Sequence, residues 1–166
     1  MLIQINSFVK ETERLELVDI AKLALNSEWS NKENPKGGIW ENNRLPCISQ
    51  TLSSLNERVA RCFNNYDSIL PFVAILRFVE GGYMSEHIDD YSGTTRFGCV
   101  VYLNDNFDGG EIVYPRLQKS FKPNPGTLII HDSHEPHSVN TITNGDRYML
   151  TTFVFGMDSV LKMQQQ

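Results

Sequence analysis

Cysteine is scarce in this 166-residue chain, which contains only Cys47, Cys62 and Cys99. Their number is odd and no two have CxxC spacing, so neither a disulfide framework nor a cysteine zinc site is indicated. Free cysteine is among the most buried residue types, and we expect all three side chains to be buried or half-buried. A reducing, cytoplasmic environment fits this usage best.

Long apolar runs and basic blocks are also missing. No stretch approaches the ~18 consecutive apolar residues of a membrane-spanning helix, and the N-terminal residues lack the basic and apolar regions of a secretion signal. Acidic residues outnumber Lys and Arg by 20 to 15, which gives a formal net charge of -5. We therefore expect no membrane partner, and nucleic acid is an unfavourable partner because its phosphates attract basic surfaces.

The chain length favours one domain over residues 1–166, with a change of pattern near Pro71. Apolar residues at helical intervals predict a helix at about 11–27 and a second helix from Leu52 to Phe63, capped by Ser49 or Thr51. Residues 28–45 are predicted to form a loop, which is either a lid or an ordinary connection whose two tryptophans pack on the core. Residues 1–70 would thus supply helical support and a possible lid, and residues 157–166 a frayed tail.

Residues 71–156 have the pattern of a β-domain. Short β-branched and aromatic runs alternate there with Gly, Asn, Asp and Pro, which predicts seven or eight strands in about 85 residues. No helical segment separates the strands, so antiparallel pairing in a sandwich, barrel or jelly roll is expected. The runs are FVAILRFV, YMSEHID, RFGCVVYLN, GEIVYP, GTLIIH, HSVNTIT and RYMLTTFVF.

Two side chains of one predicted strand suggest a metal site. His87 and Asp89 stand at positions i and i+2, and alternate residues of a strand project from the same face. The third ligand would be a histidine of the later cluster, His131, His134 or His137. Two His and one carboxylate leave three open positions of an octahedron, as in non-heme Fe(II) oxygenases. The histidine and aspartate alone are also typical of a polar surface strand.

An arginine strengthens the metal-site interpretation. Arg147 follows His137 by ten positions and begins the apolar run RYMLTTFVF. A guanidinium that enters a core strand is destabilising unless it binds an anion. Beside a metal site, this arginine suggests a dicarboxylate cosubstrate.

Five motifs in order resemble those of the Fe(II)- and 2-oxoglutarate-dependent dioxygenases, most closely the prolyl 4-hydroxylase-like branch. They are GGYMSEHID, TRFGCVVYLN, DGGEIVYP, PGTLII and HSVNTITNGDRY, between residues 81 and 148, and the resemblance covers about residues 72–156. The resemblance implies a mainly β (α+β) fold, a double-stranded β-helix or jelly roll of about eight antiparallel strands with supporting N-terminal helices. It also implies Fe(II), with 2-oxoglutarate and O2 as cosubstrates and ascorbate as an additional requirement to test.

Carried over by position, the resemblance assigns the metal and cosubstrate residues. It makes His87, Asp89 and His137 the iron ligands. Arg147 becomes the partner of the far carboxylate of 2-oxoglutarate, and Tyr102 matches a strand tyrosine that donates a hydrogen bond to the same carboxylate.

The sequence also predicts roles or positions for five other residues near the candidate ligands. Phe153 matches an aromatic wall position near the metal, whereas Phe78 stands where related enzymes often have tyrosine, so one hydroxyl group is lost. His131 is expected to cap a strand end or to hydrogen-bond a carboxylate behind the metal ligands. His134 is expected in a loop, and Asp90 on the opposite strand face from the ligands.

The segment Asn144-Gly145-Asp146 provides a geometric prediction. Asn-Gly usually forms a tight hairpin turn, which would place Arg147 opposite residue 142. Five steps of ~3.3 Å from His137 to residue 142 would separate ligand and arginine by roughly 16 Å, too far for one small dicarboxylate. We therefore predict that this turn carries the chain to the other sheet, so that His137 and Arg147 face one cavity from different sheets.

The resemblance predicts hydroxylation of a C–H bond, with release of succinate and CO2. It favours a peptide or protein substrate, with a prolyl residue first and a lysyl residue or free amino acid next. The sequence leaves the oligomeric state open, and a monomer is favoured. Asp89 favours hydroxylation, since halogenating relatives leave that coordination position to chloride. The alternatives are a cupin-like metal-binding protein or isomerase, against which Arg147 argues, and a metal-free binding module, against which the intact triad argues.

Overall fold

The computed structural model describes residues 1–30, 38–39, 44–64, 66–90 and 93–156, with backbone alone at 38–39. These ranges contain the helices α1 (Glu11–Leu23) and α2 (Gln50–Ala60) and short 3-10 helices at Asn26–Glu28 and Pro115–Leu117. Their strands are β1 (Leu2–Ile5), β2 (Gly38–Ile39), β3 (Arg44–Pro46), β4 (Ser68–Ile69), β5 (Ala74–Phe78), β6 (Tyr83–His87), β7 (Thr95–Tyr102), β8 (Asp108–Gly109), β9 (Ile112–Tyr114), β10 (Lys119–Phe121), β11 (Leu128–Asp132), β12 (His137–Val139), β13 (Ile142–Asn144) and β14 (Arg147–Phe155).

Two antiparallel sheets form the body of the fold. The major sheet has the order β1-β11-β7-β14-β5-β3, and β4 also pairs with β14. The minor sheet has the order β10-β9-β12-β6-β2, while β13 and β8 form a separate short pair. Every pair among the described strands is antiparallel. The expected double-stranded β-helix is confirmed.

Strand positions agree with the sequence pattern in the second half of the chain and depart from it in the first. Each of the seven predicted runs contains a strand, and HSVNTIT contains both β12 and β13. The first part was expected to be helical, but β1 pairs with β11 and β3 pairs with β5, so both widen the major sheet. Strands of three or four residues carry too little pattern to be recognised without their partners.

The first helix is shorter than its apolar spacing predicted. Helix α1 ends at Leu23, and Ala24 has an extended backbone with ψ 135°. Leu17 is fully buried, whereas Leu23 is 82% exposed and Leu25 is 69% exposed. The apolar residues at the C-terminal end therefore extend the sequence pattern beyond the buried face of the helix.

The second helix begins as predicted. The Ser49 Oγ accepts a hydrogen bond from the Leu52 N–H at 3.1 Å, so Ser49 is the N-cap. The other candidate, Thr51, instead donates from its hydroxyl to Glu16 on α1 at 2.7 Å. Leu55 and Val59 are fully buried and anchor the helix.

The two faces of the major sheet have different roles. The outer face packs with α1 and α2 in one large apolar cluster, to which β14 contributes Tyr148, Leu150 and Val154. The inner face looks toward the minor sheet, with Tyr102 and Ile129 in one small cluster and Phe78 and Met149 in another. Since side chains alternate along a strand, Arg147 shares the inner face with Met149. The helices support the sheet from behind, and the interior between the sheets is left for a site.

The cysteines have the expected burial, since Cys99 is buried and Cys47 and Cys62 are half-buried. Trp29 is buried, with its ring 3.9 Å from the Arg77 guanidinium carbon and 6.4 Å from the Tyr148 ring. This contact supports the core-packing alternative for that tryptophan. The rest of the lid prediction, including Trp40, and the tail at 157–166 fall mostly outside the described residues. Among the helices described, none has the length and apolar character required to cross a membrane.

Candidate metal centre

Two neighbouring strands of the minor sheet bring the first pair of histidines together. His87 on β6 and His137 on β12 are directly opposed Cα partners, so both imidazoles project from the same face. Their ring centroids are 4.3 Å apart. Asp89 lies two residues beyond the end of β6, where its N–H donates to the Ser133 carbonyl at 2.7 Å. The backbone bond fixes the loop, although sequence alone predicted Asp89 within the strand.

These three side chains form a compact cluster of ligand atoms. One Asp89 oxygen, Oδ1, is 3.6 Å from His87 Nε2, and the other, Oδ2, is 3.6 Å from His137 Nε2. One candidate ligand atom from each residue lies within 4.8 Å of the other two. Asp89 and His137 are buried, at 6% and 5% exposure. The site brings together the three residues that the sequence singled out.

Backbone carbonyls orient both histidines in the same way. His87 Nδ1 donates to the Ser85 carbonyl at 2.8 Å, and His137 Nδ1 donates to the Glu135 carbonyl at 2.9 Å. In a neutral imidazole, a donating Nδ1 leaves Nε2 with a free lone pair. Both Nε2 atoms therefore face the aspartate as potential metal ligands.

Burial also sets the charge of the site. Burial lowers the pKa of His137 to about 3, with a further lowering by nearby His131, so this imidazole is neutral at physiological pH. Burial alone would raise the pKa of Asp89, but the hydrogen bond from His131 and the surrounding imidazoles outweigh it and hold the pKa below its usual range. Neutral imidazoles and an ionised carboxylate are the protonation states in which these groups bind metal.

Two further buried polar side chains, His131 and Tyr114, lie behind Asp89. His131, on β11, is fully buried and places Nε2 at 2.9 Å from Asp89 Oδ2. The other ring nitrogen, Nδ1, is 2.9 Å from the Tyr114 hydroxyl on β9. A Cβ atom at Gly98 would lie 2.4 Å from both Asp89 Oδ2 and His131 Nε2, so no side chain fits at that position.

Arg147 reaches the interior from the opposite sheet. Its Nη2 donates to the Tyr102 hydroxyl at 2.6 Å, and its guanidinium carbon is 4.6 Å from the Tyr102 ring centroid and 5.1 Å from that of Phe78. The side chain is 1% exposed, yet its Nε and Nη1 have no hydrogen-bond partner among the described residues. Buried donors of this kind require an acceptor, and a carboxylate matches two guanidinium N–H groups.

The turn before Arg147 connects the two sheets as predicted. His137 lies on β12 of the minor sheet, and Arg147 begins β14 of the major sheet. Between them, β13 pairs with β8 instead of forming a hairpin with β14. Gly145 has φ +77°, a conformation that glycine adopts without strain.

The remaining residues singled out in the sequence take supporting or peripheral positions. His134 lies in a turn with 59% of its side chain exposed, and its Nε2 is 3.3 Å from Asp90 Oδ2. Asp90 also accepts the Gly93 N–H at 2.7 Å, so it holds the loop and does not face the cluster.

A pocket of about 190 Å³ adjoins the interior face of the major sheet. Phe153 lies in its wall and is the Cα partner of Gly98, the residue that contacts Asp89. The lining includes no residue of the His-Asp-His cluster and neither Arg147 nor Tyr102. Its lining consists of Arg44, Leu70, Pro71, Val73, Ala74, Leu76, Thr151 and Phe153.

Comparison with known proteins identifies the family. The sequence profile of the 2OG-Fe(II) oxygenase superfamily matches residues 73–155. The chain belongs to this superfamily. A PKHD-type hydroxylase of Colwellia psychrerythraea is 32% identical over 97 residues, which cover 52% of this chain and 43% of that protein. The chain spans less than half of the length of this and similar curated relatives.

Solved structures of the superfamily share the fold. The viral collagen prolyl hydroxylase of Paramecium Bursaria Chlorella virus-1, in its 2OG complex, has a TM-score of 0.67 at 16% identity. The match covers 95% of this chain and 96% of the viral chain. A Trichoplax adhaerens prolyl hydroxylase, in complex with a hypoxia inducible factor oxygen degradation domain peptide fragment, has a TM-score of 0.73 at 21% identity and covers 93% and 83%.

The donor set fits the Fe(II) of this superfamily. Two imidazole nitrogens and one carboxylate are the ligands of its open iron sites, and here their candidate ligand atoms lie within 4.8 Å of one another. Sequence reasoning missed Gly98 and Tyr114, which support the site from β7 and β9. Their positions gave no local signal, since neither a strand glycine nor an aromatic after a β-branched residue is unusual. His131 was expected to cap a strand end or to bond a carboxylate behind the ligands, but its partner is the candidate ligand Asp89 itself.

Proposed function

We propose that this chain is an Fe(II)- and 2-oxoglutarate-dependent dioxygenase that hydroxylates a prolyl or other residue of a peptide or protein. One observation carries the proposal. A buried His-Asp-His cluster and a buried arginine, whose Nε and Nη1 have no partner among the described residues, face one interior from opposite sheets. The cluster suits a divalent metal, and the arginine suits the carboxylate of a cosubstrate.

In this proposal, His87, Asp89 and His137 hold Fe(II). The bound iron and 2-oxoglutarate supply the oxidising chemistry, in which O2 is consumed, succinate and CO2 are released and a C–H bond becomes C–OH. The protein contributes a fixed ligand arrangement. The carbonyls of Ser85 and Glu135 hold the two imidazoles with Nε2 toward the site.

Arg147 and Tyr102 would bind the far carboxylate of 2-oxoglutarate. Nη1 of Arg147 has no partner among the described residues and is available to this carboxylate, while Nη2 already donates to Tyr102. Burial raises the pKa of Tyr102 despite the opposing effect of Arg147, so the phenol stays protonated. Since its oxygen accepts from Arg147, its own O–H is left to donate to the same carboxylate.

The walls around the arginine exclude water. Phe78 is fully buried and Met149 is 4% exposed, and both belong to the apolar cluster on the inner face. In such surroundings an ion pair between Arg147 and a carboxylate is stronger than in water. Phe78, in the place of a common tyrosine, contributes a ring near the guanidinium and no competing hydroxyl.

The substrate assignment is a peptide or protein, with a prolyl residue first. It rests on the prolyl 4-hydroxylase-like motifs and on structural neighbours described as prolyl hydroxylases, one of them bound to a peptide fragment. The pocket that includes Phe153 has a mostly apolar wall and would receive residues that flank the reacting side chain. A monomer and a cytoplasmic location remain predictions.

The test measures metal binding, 2-oxoglutarate binding and succinate release by purified protein with Fe(II) and ascorbate. The parent should show the weak visible charge-transfer band of an Fe(II)–2-oxoglutarate complex under anaerobic conditions. His87→Ala should abolish it, and Arg147→Ala should weaken 2-oxoglutarate binding. His134→Ala is the matched control, because His134 is an exposed histidine outside the cluster. Absence of the band in the parent would refute the proposal.

Peptide hydroxylation is tested separately. The protein is incubated with a peptide library that contains proline and lysine, and a mass increase of one oxygen is sought. Hydroxylation of prolyl peptides is the expected result. Hydroxylation of free amino acids alone would retain the dioxygenase activity and overturn the peptide assignment.

A further inference from the structure

A buried hydrogen-bond chain runs from Tyr114 through His131 to Asp89, and the proposed reaction does not yet use it. We propose that His131, oriented by Tyr114, is a positioning residue that occupies one carboxylate oxygen of Asp89 and leaves the other oxygen to the metal. This inference rests on the proposed metal-binding function. It concerns the support of one ligand, and nothing in the family assignment specifies it.

The direction of each of these hydrogen bonds follows from which atoms can donate and which can accept. An ionised carboxylate only accepts, so the 2.9 Å contact between His131 Nε2 and Asp89 Oδ2 requires a proton on Nε2. In a neutral imidazole, Nδ1 is then an acceptor and receives the Tyr114 O–H at 2.9 Å. Tyr114 and His131 are both fully buried, so water does not replace these bonds.

A glycine at position 98 leaves the space for the hydrogen bond between His131 and Asp89. Gly98 is the Cα partner of His131, and a side chain there would enter the contact between His131 and Asp89. Gly98 does not have the positive φ that would otherwise favour glycine. Its role is therefore steric, and three separate strands, β7, β9 and β11, contribute to one hydrogen bond on Asp89.

The consequence concerns the number of open metal positions. A carboxylate that binds through both oxygens, together with two histidines, takes four positions of an octahedron and leaves two. Chelation of 2-oxoglutarate requires two positions and O2 a third, so one-oxygen binding by Asp89 is needed. A hydrogen bond on Oδ2 favours that mode. Because both ring nitrogens of His131 are engaged, His131 supports the ligand and is not a fourth ligand.

The experiment compares variants that keep or remove the donor. His131→Gln retains an N–H near the position of Nε2, His131→Leu removes it, and Tyr114→Phe removes only the hydroxyl that orients the ring. The readouts are Co(II) affinity and visible spectrum of the metal-free protein, and 2-oxoglutarate affinity of the Fe(II) form without O2. Tyr148→Phe is the matched control, since it removes a tyrosine hydroxyl that bonds Asp146, and Tyr148 packs in the apolar cluster on the other face of the sheet.

His131→Leu should weaken Co(II) binding by about 10- to 100-fold, the usual effect of removing a partner of a metal ligand. His131→Gln should stay within about threefold of the parent, and Tyr114→Phe should lie between the two. In His131→Leu, 2-oxoglutarate affinity should fall and the charge-transfer band should weaken, because fewer metal positions remain open. Melting of each metal-free variant establishes that it is folded, and Tyr114→Phe provides the comparison if His131→Leu does not fold.

Two results would overturn the inference. Equal Co(II) and 2-oxoglutarate affinities in all variants would mean that the hydrogen bonds from Tyr114 through His131 do not position Asp89. Equal losses in His131→Gln and His131→Leu, with a Co(II) spectrum that changes in both, would make His131 a ligand instead. If the parent itself bound neither metal nor 2-oxoglutarate, the proposed function would fail as well, so the two failures are distinguishable.

Discussion

Replacement of Arg147 by methionine should have opposite effects on stability and on cosubstrate binding. The guanidinium is 1% exposed, and two of its donors have no partner among the described residues. Without a carboxylate, this buried cation destabilises the fold. Methionine fills much of the same apolar space without charge or donors, so Arg147→Met should stabilise the protein that lacks 2-oxoglutarate.

The magnitude follows from the two unpaired donors. Each buried donor without a partner destabilises the parent by about 1–3 kcal/mol. In the variant, the Tyr102 hydroxyl loses its hydrogen bond from Arg147, which offsets a similar amount of the gain. Replacement of buried ion pairs by apolar side chains is neutral or stabilising by about 1–4 kcal/mol in known cases. For a chain of this size, a stabilisation of about 1 kcal/mol would raise Tm by roughly 2–4 °C.

Arg147→Met should bind 2-oxoglutarate more weakly than the parent, although the variant is more stable without it. Loss of one partner of a buried ion pair costs about 3–5 kcal/mol, which corresponds to a weakening of 2-oxoglutarate binding by roughly a hundredfold to a few thousandfold. Thermal melting with and without Mn(II) and 2-oxoglutarate measures both effects. The parent should be stabilised by 2-oxoglutarate, and the variant should not respond.

Arg77→Met provides the control, because Arg77 lies on the neighbouring strand and contacts Trp29 on the outer face. It makes the same change of charge and length without touching the interior. Unchanged 2-oxoglutarate affinity in Arg147→Met would refute the anchor assignment. A loss of several kcal/mol of stability in the metal-free and 2-oxoglutarate-free variant would show instead that the guanidinium is already well paired.

Three further predictions concern the surroundings of the site. Gly98→Ala should weaken Co(II) binding at least tenfold in a metal titration, because the added Cβ enters the contact between His131 and Asp89, and parent-like affinity would contradict this. Metal at about 100 times its Kd should stabilise the parent by about 2.7 kcal/mol in melting experiments and leave Asp89→Ala unaffected; an equal shift in both would place the metal elsewhere. Ser49→Ala should lower the free energy of unfolding in urea by about 1 kcal/mol without changing metal affinity, since it removes only the N-cap of α2, and an undiminished free energy of unfolding would argue against that cap.

The sequence predicts the fold where a strand is long enough to carry its own pattern. β14 and β7 have nine and eight residues, and both coincide with predicted runs. β1 and β3 have four and three residues and are stabilised by pairing with β11 and β5, which lie far away in the chain. The same limit applies to α1, because helical spacing does not show which apolar residues meet the sheet.

The three candidate ligands could be singled out from the sequence because two of them stand close together on one predicted strand. His87 and Asp89 are two residues apart, and His137 pairs with His87 across adjacent strands. The crossing to Arg147 could be deduced because a hairpin would have separated the ligand and the arginine by too great a distance. Such reasoning uses only strand spacing and the size of a ligand.

The support behind Asp89 could not be predicted in the same way. His131 and Asp89 are 42 residues apart, and Tyr114 and His131 are 17 apart, on strands that meet only in the folded protein. A buried histidine, a buried tyrosine hydroxyl and a glycine without positive φ each have ordinary structural explanations. They acquire a common explanation only when their atoms are seen to converge on one carboxylate oxygen. The Arg147 donors that lack a partner among the described residues would be a defect in a protein with no ligand, whereas the bond from His131 to Asp89 Oδ2 is already formed. We infer that the metal half of the site is preorganised by the fold and that the cosubstrate half is completed by the cosubstrate itself.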